Sequence, residues 1–298
     1  MSSSHGFHPY GTSWGLRSSP ASSNNGFNKR HHAVISSFRS THSTSPMSQT
    51  PVHSNILRSK LQSGVPGCGV VLSIASPVTA QLAARLGFDW ALIDIDGFPP
   101  HNAGVVAEMV AAVTATQRCS AILRLPFGAS EEVVRLAVDV GAHGIIVTGV
   151  HSGEQLWGVV RVAKAGRSSP PMSRPDEGDV LVIPQIESTE AVDRIHEILA
   201  VPGVDAAFVR PQNLPSGHAS PMPVEPIQRV PGSIPVGGAL GRIVRAAGQL
   251  NVPLGIDCAD GDTARMRIQQ GFGMVVVAND ADLLSAGATE QLRRAQSS

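Results

Sequence analysis

The segment Val180–Glu187, Val-Leu-Val-Ile-Pro-Gln-Ile-Glu, begins as an apolar strand and ends on two polar side chains. Residues two apart in a strand point the same way, so Gln185 and Glu187 share a direction while Ile186 faces away. A carboxylate that closes an apolar strand needs a cation or hydrogen-bond donors to offset its desolvation. Other apolar runs end in the same manner, on Asp94 and Asp96, Arg124, Thr148, Arg210 with Asn213, and Asp257. Each has a structural use when read alone. Glu187 could cap the next helix, Arg124 could bridge to Asp94, Asp94 and Asp96 could cap the next loop or helix, and Asp257 could close a turn with Asp260. Read together, they describe one polar site. A pair of oxygen ligands with few histidines nearby suits Mg²⁺ or Mn²⁺ better than zinc. Arg124 offers a planar fork matched to a carboxylate. A cation and an arginine together would hold a 2-oxo acid and stabilise the enolate formed when a carbon–carbon bond breaks or is made.

Such a site requires strand ends that converge. The alternation of apolar runs and amphipathic stretches predicts strands at Cys68–Ser73, Asp89–Asp94, Ser120–Arg124, Gly144–Thr148, Val180–Gln185, Asp205–Val209, Val252–Ile256 and Gly273–Val277. Helical spacing predicts the intervening helices at Val78–Leu86, Gly104–Ala115, Glu131–Val140, Gly153–Lys164, Thr189–Leu199, Ala239–Leu250, Asp262–Gln270 and Asp280–Ala295. A long Pro/Gly-rich loop runs from Pro211 to about Gly238. Strand and helix in strict alternation is the pattern of an α/β protein of (β/α)₈ TIM-barrel type. An open doubly wound sheet is the alternative, but its Gly-rich fingerprint is missing after the first strand. In a barrel the chemistry gathers at the C-terminal ends of the strands, where the charged residues above fall.

Composition agrees. Only one Tyr, three Trp and eight Phe occur in 298 residues, so the core must be Val, Ile, Leu and Ala, as in a buried parallel sheet. Lys plus Arg and Asp plus Glu balance at 23 each, which gives no electrostatic argument for nucleic acid or an anionic membrane. Three scattered cysteines make no ligand spacing and no disulfide framework, and no apolar run is long enough to span a bilayer. These features point to an intracellular, cytoplasmic protein. Residues 1–56 are rich in Ser and His and free of acidic residues, the first of which is Asp89. They are expected to form a disordered tail, with a mitochondrial transit peptide as the alternative, ahead of a barrel domain at 57–298.

The motifs Phe88-Asp-Trp-Ala-Leu-Ile-Asp94, Ile122-Leu-Arg-Leu-Pro126, Asp139-Val-Gly141, Gln185-Ile-Glu187 and Gly203-Val-Asp205 resemble, at their spacing, those of the HpcH/HpaI aldolase/citrate lyase family. The resemblance covers roughly Leu57 to Arg294. It implies a TIM barrel of the phosphoenolpyruvate/pyruvate-binding type that uses Mg²⁺, Mn²⁺ or Co²⁺ and cleaves 4-hydroxy-2-oxo acids to pyruvate and an aldehyde. It also implies a homo-oligomer, a hexamer built from dimers that exchange their eighth helix. Carried over by position, Glu187 is a metal ligand, with Asn213 at the second metal position. Gln185, Gln212 and Arg124 are substrate-binding. Arg124, Asp94 and Asp139 are catalytic, Asp139 as the support of the family's basic histidine.

The chain departs from the family at several of these places. Where the family continues after Asp94 with a glutamate and then the basic histidine, this chain has Asp96 and Gly97, and glycine moves no proton. Asn213 replaces a metal aspartate and brings no charge, so metal affinity should fall. Arg210 stands for a glycine, and Thr148-Gly149 for a position that is usually proline. The loop between Lys164 and Asp179, a region that helps enclose substrate in the family, is short. His101, His151 and His218 fall in loops after strands and are candidates for a substitute base. Decarboxylation of an oxaloacetate-type acid needs no base to start and is the alternative activity. A catalytically silent barrel is another, as is altered chemistry in which Arg210 selects a more anionic substrate.

Overall fold

The computed structural model describes residues 55–95, 103–165, 180–214 and 238–297. Strands β1 (Gly67–Leu72), β2 (Trp90–Asp94), β3 (Ser120–Leu125), β4 (Gly144–Val147), β5 (Leu181–Ile186), β6 (Ala207–Val209), β7 (Leu254–Ile256) and β8 (Met274–Asn279) lie side by side in chain order. All pairs are parallel, and β1 returns to β8 to close the barrel. Helices α2 (Pro77–Arg85), α3 (Ala103–Thr114), α4 (Glu131–Asp139), α5 (Gly153–Lys164), α6 (Thr189–Asp193), α7 (Ile195–Leu199), α8 (Gly238–Leu250), α9 (Gly261–Gln269) and α10 (Asp280–Gln296) follow the strands. Thus the predicted (β/α)₈ barrel is the fold.

Side chains alternate along each strand. One set faces the helices and forms a large outer layer of Val, Ile, Ala and Leu. The other set points inward, where Trp90, Leu92, Ile122, Ile183, Phe208 and Met274 fill the lower barrel. Trp90 lies across Gly69, where an added Cβ would come within 2.1 Å of the indole, so the position must be glycine. Its Nε1 donates to the Gly67 carbonyl at 3.2 Å, and its edge meets Phe208 at a ring separation of 6.3 Å. Each large side chain buried there contributes roughly 1.5–3 kcal/mol. Two residues further along β2, β3, β4 and β5, the inward positions hold Asp94, Arg124, Thr148 and Gln185. Hence the apolar floor and the polar rim follow from one period-two pattern.

A helix that the sequence reading does not contain, α1 (Ile56–Ser63), closes the bottom of the barrel. Leu57 and Leu61, four apart on one face, join the inner cluster. Asn55 caps the helix by accepting from the Arg58 N–H at 3.1 Å, and its amide donates to the His143 carbonyl at 2.8 Å. Ser120 binds the same Asn55 oxygen and receives the Leu57 N–H. Asp205 gathers Arg58, Lys164 and the Val182 N–H at this end, and Lys60 pairs with Asp89 at 2.9 Å. The seam between β1 and β8 is tied at the bottom by Gly67 N–H to the Gly273 carbonyl. Above it, Ser73 donates its N–H and hydroxyl to Asp280.

Most element bounds shift by a residue or two, and three differences are larger or local in origin. The predicted helix Thr189–Leu199 is broken at Arg194 (φ −102°, ψ 18°), although its buried residues keep helical spacing, so periodicity carries no sign of the break. The sixth strand starts at Ala207, and Asp205 before it directs its carboxylate to the ion pairs and the Val182 N–H. The seventh starts at Leu254, after Pro253, which lacks an N–H for the ladder. No helix among the described residues is long and apolar enough to cross a membrane.

Candidate functional site

Arg124 is one of the buried polar side chains at the rim. It ends the inward row of β3, is only 3% exposed, and donates from Nη1 to Asp94 Oδ2 on neighbouring β2. The bridge anticipated from sequence is therefore present, but it uses one donor. The Nε and Nη2 of Arg124 and the Oδ1 of Asp94 are buried and find no hydrogen-bond partner among the described residues. Buried groups of this kind are normally satisfied, so each of these three atoms has room for a partner such as water or a ligand. Arg124 and Asp94 both line a cavity of about 550 Å³ that also touches Arg210, Gln212, Asp257 and Asn279.

Glu187 lies just beyond β5 and is held by three donors. The Gly149 N–H reaches Oε1 at 3.0 Å, while the amides of Gln185 and Asn213 each donate to Oε2 at 2.8 Å. The structure thus brings together the two positions named as metal ligands, with Gln185 beside them. In the sequence Gly149 stands out only as a departure from proline, yet a proline has no N–H to give Glu187. Its φ of +63° favours glycine, and a Cβ there would lie 2.1 Å from the Phe127 ring. Thr148, one residue earlier, is buried and donates its hydroxyl to the Leu125 carbonyl.

The Glu187 group offers oxygen ligands to a divalent cation once its amides turn. A primary amide carries an oxygen and an NH₂ on one plane, so a half-turn of Asn213 or Gln185 exchanges donor for ligand in the same place. The Gln185 oxygen is buried and finds no donor among the described residues. One carboxylate and neutral oxygens are hard ligands suited to Mg²⁺ or Mn²⁺. Among the described residues no group of three or more His, Cys, Asp or Glu side chains could hold a metal.

Asp257, at the end of β7, does not close a turn with Asp260. Asp260 instead accepts from the Thr263 N–H and caps α9. Asp257 faces the cavity, 3.9 Å from the Arg210 Nε and hydrogen-bonded to Gln212. Burial pushes its carboxyl pKa up, against the opposing pull of Arg124, Arg210 and Gln212 and with some help from Asp94. The folded chain then holds more protons than the unfolded chain between the ordinary carboxylate range and the raised value, so stability falls as pH rises through that window. Asp257→Asn is expected to remove this slope and to raise the urea midpoint at neutral pH relative to the parent. The gain should shrink as pH drops below the ordinary carboxylate range. Equal midpoints at every pH would contradict this.

Other candidates are not brought to the cavity. Asp139 ends α4, whose C-terminal end leads into the start of β4 and so lies at the opposite end of the barrel from the strand ends. His151 turns its ring toward Phe127 and Glu190 and does not line the cavity. Asp96, Gly97, His101, His218 and the loop before β5 lie outside the described residues.

A closed parallel barrel with an arginine and a carboxylate group at the strand ends defines a class of barrel enzymes. The comparisons with known proteins narrow it. The family model for HpcH/HpaI aldolase/citrate lyase matches residues 68–284, and the chain belongs to that family. A 4-hydroxy-2-oxovalerate aldolase of Novosphingobium aromaticivorans is 32% identical over 83% of this chain and 95% of its own length. A hydroxypyruvate/pyruvate aldolase of Paraburkholderia phytofirmans is 26% identical over 82% of this chain and 98% of its own. Among solved structures, an HpcH/HpaI family protein from Burkholderia cenocepacia superposes with a TM-score of 0.68 at 25% identity, over 82% of this chain and 100% of that one. The barrel of macrophomate synthase has the same fold, with a TM-score of 0.65 at 22% identity over 87% and 98% of the two chains.

Proposed function

We propose that this chain is a divalent-metal-dependent carbon–carbon lyase that cleaves or forms a 4-hydroxy-2-oxo acid through a pyruvate enolate. The observation that carries the reading is Arg124, buried at a strand end on a cavity of about 550 Å³ with two N–H donors that are unmatched among the described residues. The names of its aldolase relatives support it. Arg124 receives the oxygen of the 2-oxo group with these donors, which strengthen as that oxygen gains charge. Asp94 fixes the guanidinium in its plane. Glu187, Asn213 and Gln185 would hold the cation, which neutralises charge on the 2-oxo acid and polarises its carbonyl when bound.

In cleavage the bond between C3 and C4 breaks. Its electron pair passes toward the 2-oxo oxygen, and the 4-hydroxyl becomes an aldehyde as it loses its proton. Gly97 offers no group for that proton. Asp257 lines the cavity, its burial favours the protonated form, and we assign it as the acceptor. The proton then returns to C3 to give pyruvate. Self-association is part of the same reading, because α10 buries none of its residues and presents Leu283, Leu284 and Leu292. Light scattering reads that assembly.

The test is pyruvate release from 4-hydroxy-2-oxopentanoate with Mg²⁺ or Mn²⁺, followed through lactate dehydrogenase. Turnover that falls with chelator and returns with metal is the expected result. No release from this acid, its longer homologues or the corresponding 4-hydroxy-2-oxo diacids under any metal would overturn the reading.

A further inference from the structure

The cavity has two cationic walls built on one plan. On one side Arg124 of β3 is held by Asp94 of β2, with Nε and Nη2 unmatched among the described residues. On the other, Arg210 at the end of β6 lies beside Asp257 at the end of β7, and its buried Nε also finds no partner among the described residues. The strands run in order around a closed barrel, so β3 and β6 stand almost across from one another. Both guanidiniums line the same cavity.

At 3.9 Å the contact from Arg210 to Asp257 is too long for a hydrogen bond. Asp257 therefore keeps the guanidinium in position without using its donors. The Arg210 side chain is 36% exposed, but its Nε–H is buried without a partner among the described residues, and an anion arriving from the cavity would supply one. Asp260 and Asp282 also line the cavity, but both are exposed and screened by solvent.

We infer that Arg210 is a specificity-determining residue that receives the second carboxylate of a 2-oxo dicarboxylic acid whose 2-oxo acid end lies at Arg124. The inference rests on the proposed use of Arg124 by a 2-oxo acid. Arginine is suited to the task because its planar donors meet a carboxylate in pairs. A carboxylate brought beside Asp257 would also raise that group's proton affinity, so diacid binding and proton acceptance reinforce one another.

The test is calorimetric binding to the full-length chain with Mn²⁺, using 2-oxoglutarate and 2-oxopentanoate. These probes share a five-carbon 2-oxo acid and differ in the second carboxylate. The parent is expected to bind 2-oxoglutarate about 10- to 100-fold tighter, the range of one or two charge-assisted hydrogen bonds. Arg210→Gln should abolish that preference and leave 2-oxopentanoate within about threefold. Arg210→Lys should keep part of the preference, since the charge remains and the fork is lost.

Equal affinities in the parent, or an unchanged preference in Arg210→Gln, would overturn the inference. So would an equal loss of both probes in a variant with an unaltered melting curve, which would make Arg210 a general support of the site. The lyase assay is read separately. Preference without pyruvate release would leave Arg210 in place and remove the lyase reading, and release without preference would do the reverse.

Discussion

Arg124→Ala is expected to lower kcat/KM for pyruvate release by about 10³-fold, the effect of removing a preorganised donor from a developing oxyanion. The loss should fall mainly on kcat, because the unmatched donors act most strongly when the 2-oxo oxygen carries charge. Arg124→Lys keeps the charge but not the fork, and should recover only a small part of the rate. Because Arg124 is 3% exposed and paired with Asp94, its removal also strands a carboxylate, at roughly 1–3 kcal/mol in stability. The two effects separate in the double variant Arg124→Ala with Asp94→Asn. Thermal stability should return in part while activity stays lost. Activity within a few-fold of the parent in Arg124→Ala would remove this residue from the chemistry.

The second large effect is a gain. Asn213 and Glu187 meet at 2.8 Å through an amide N–H that donates to a carboxylate. Asn213→Asp replaces that attraction with two carboxylates facing one another. Without metal the variant should melt lower than the parent. With Mn²⁺ it should bind about 10- to 100-fold tighter, since each factor of ten is 1.4 kcal/mol and a full charge has been added to the ligand set. Its melting temperature should then rise with Mn²⁺ concentration more steeply than that of the parent. Glu187→Gln should abolish the Mn²⁺ response in either background. A melting curve of Asn213→Asp that ignores Mn²⁺ would argue that Glu187 is a hydrogen-bonded structural group and no metal ligand.

Much of this site is legible without the fold because the barrel's inward rows repeat every two residues. Apolar strands ending in Asp94, Arg124 and Gln185 can be placed on one rim from alternation alone. What alternation cannot give is which strand ends share a wall. Asp257 reads as a turn residue with Asp260, and only the closed barrel sets it beside Arg210 and Gln212. The function of Gly149 lies in a backbone N–H, which a sequence does not display. Helix α1 does carry signals, with Asn55 before it, Leu57 and Leu61 four apart, and Gly64 after it. They are hidden by lying against the featureless N-terminal stretch. Asp139 keeps the family motif, yet in one chain it sits at the far end of the barrel, because motif spacing records neighbours along the strand and not ends of the molecule.

The seam between β1 and β8 has a consequence for how the chain reaches this structure. The bonds from Ser73 to Asp280 span 207 positions, and the pair Arg58–Asp205 under α1 spans 147. The first strand made by the ribosome must therefore wait for the last one, with only its β2 edge paired. Closing such long loops slows folding and exposes unpaired strand edges meanwhile. Substitutions at the seam should therefore change the yield of soluble protein during synthesis more than the equilibrium stability of molecules that have already closed.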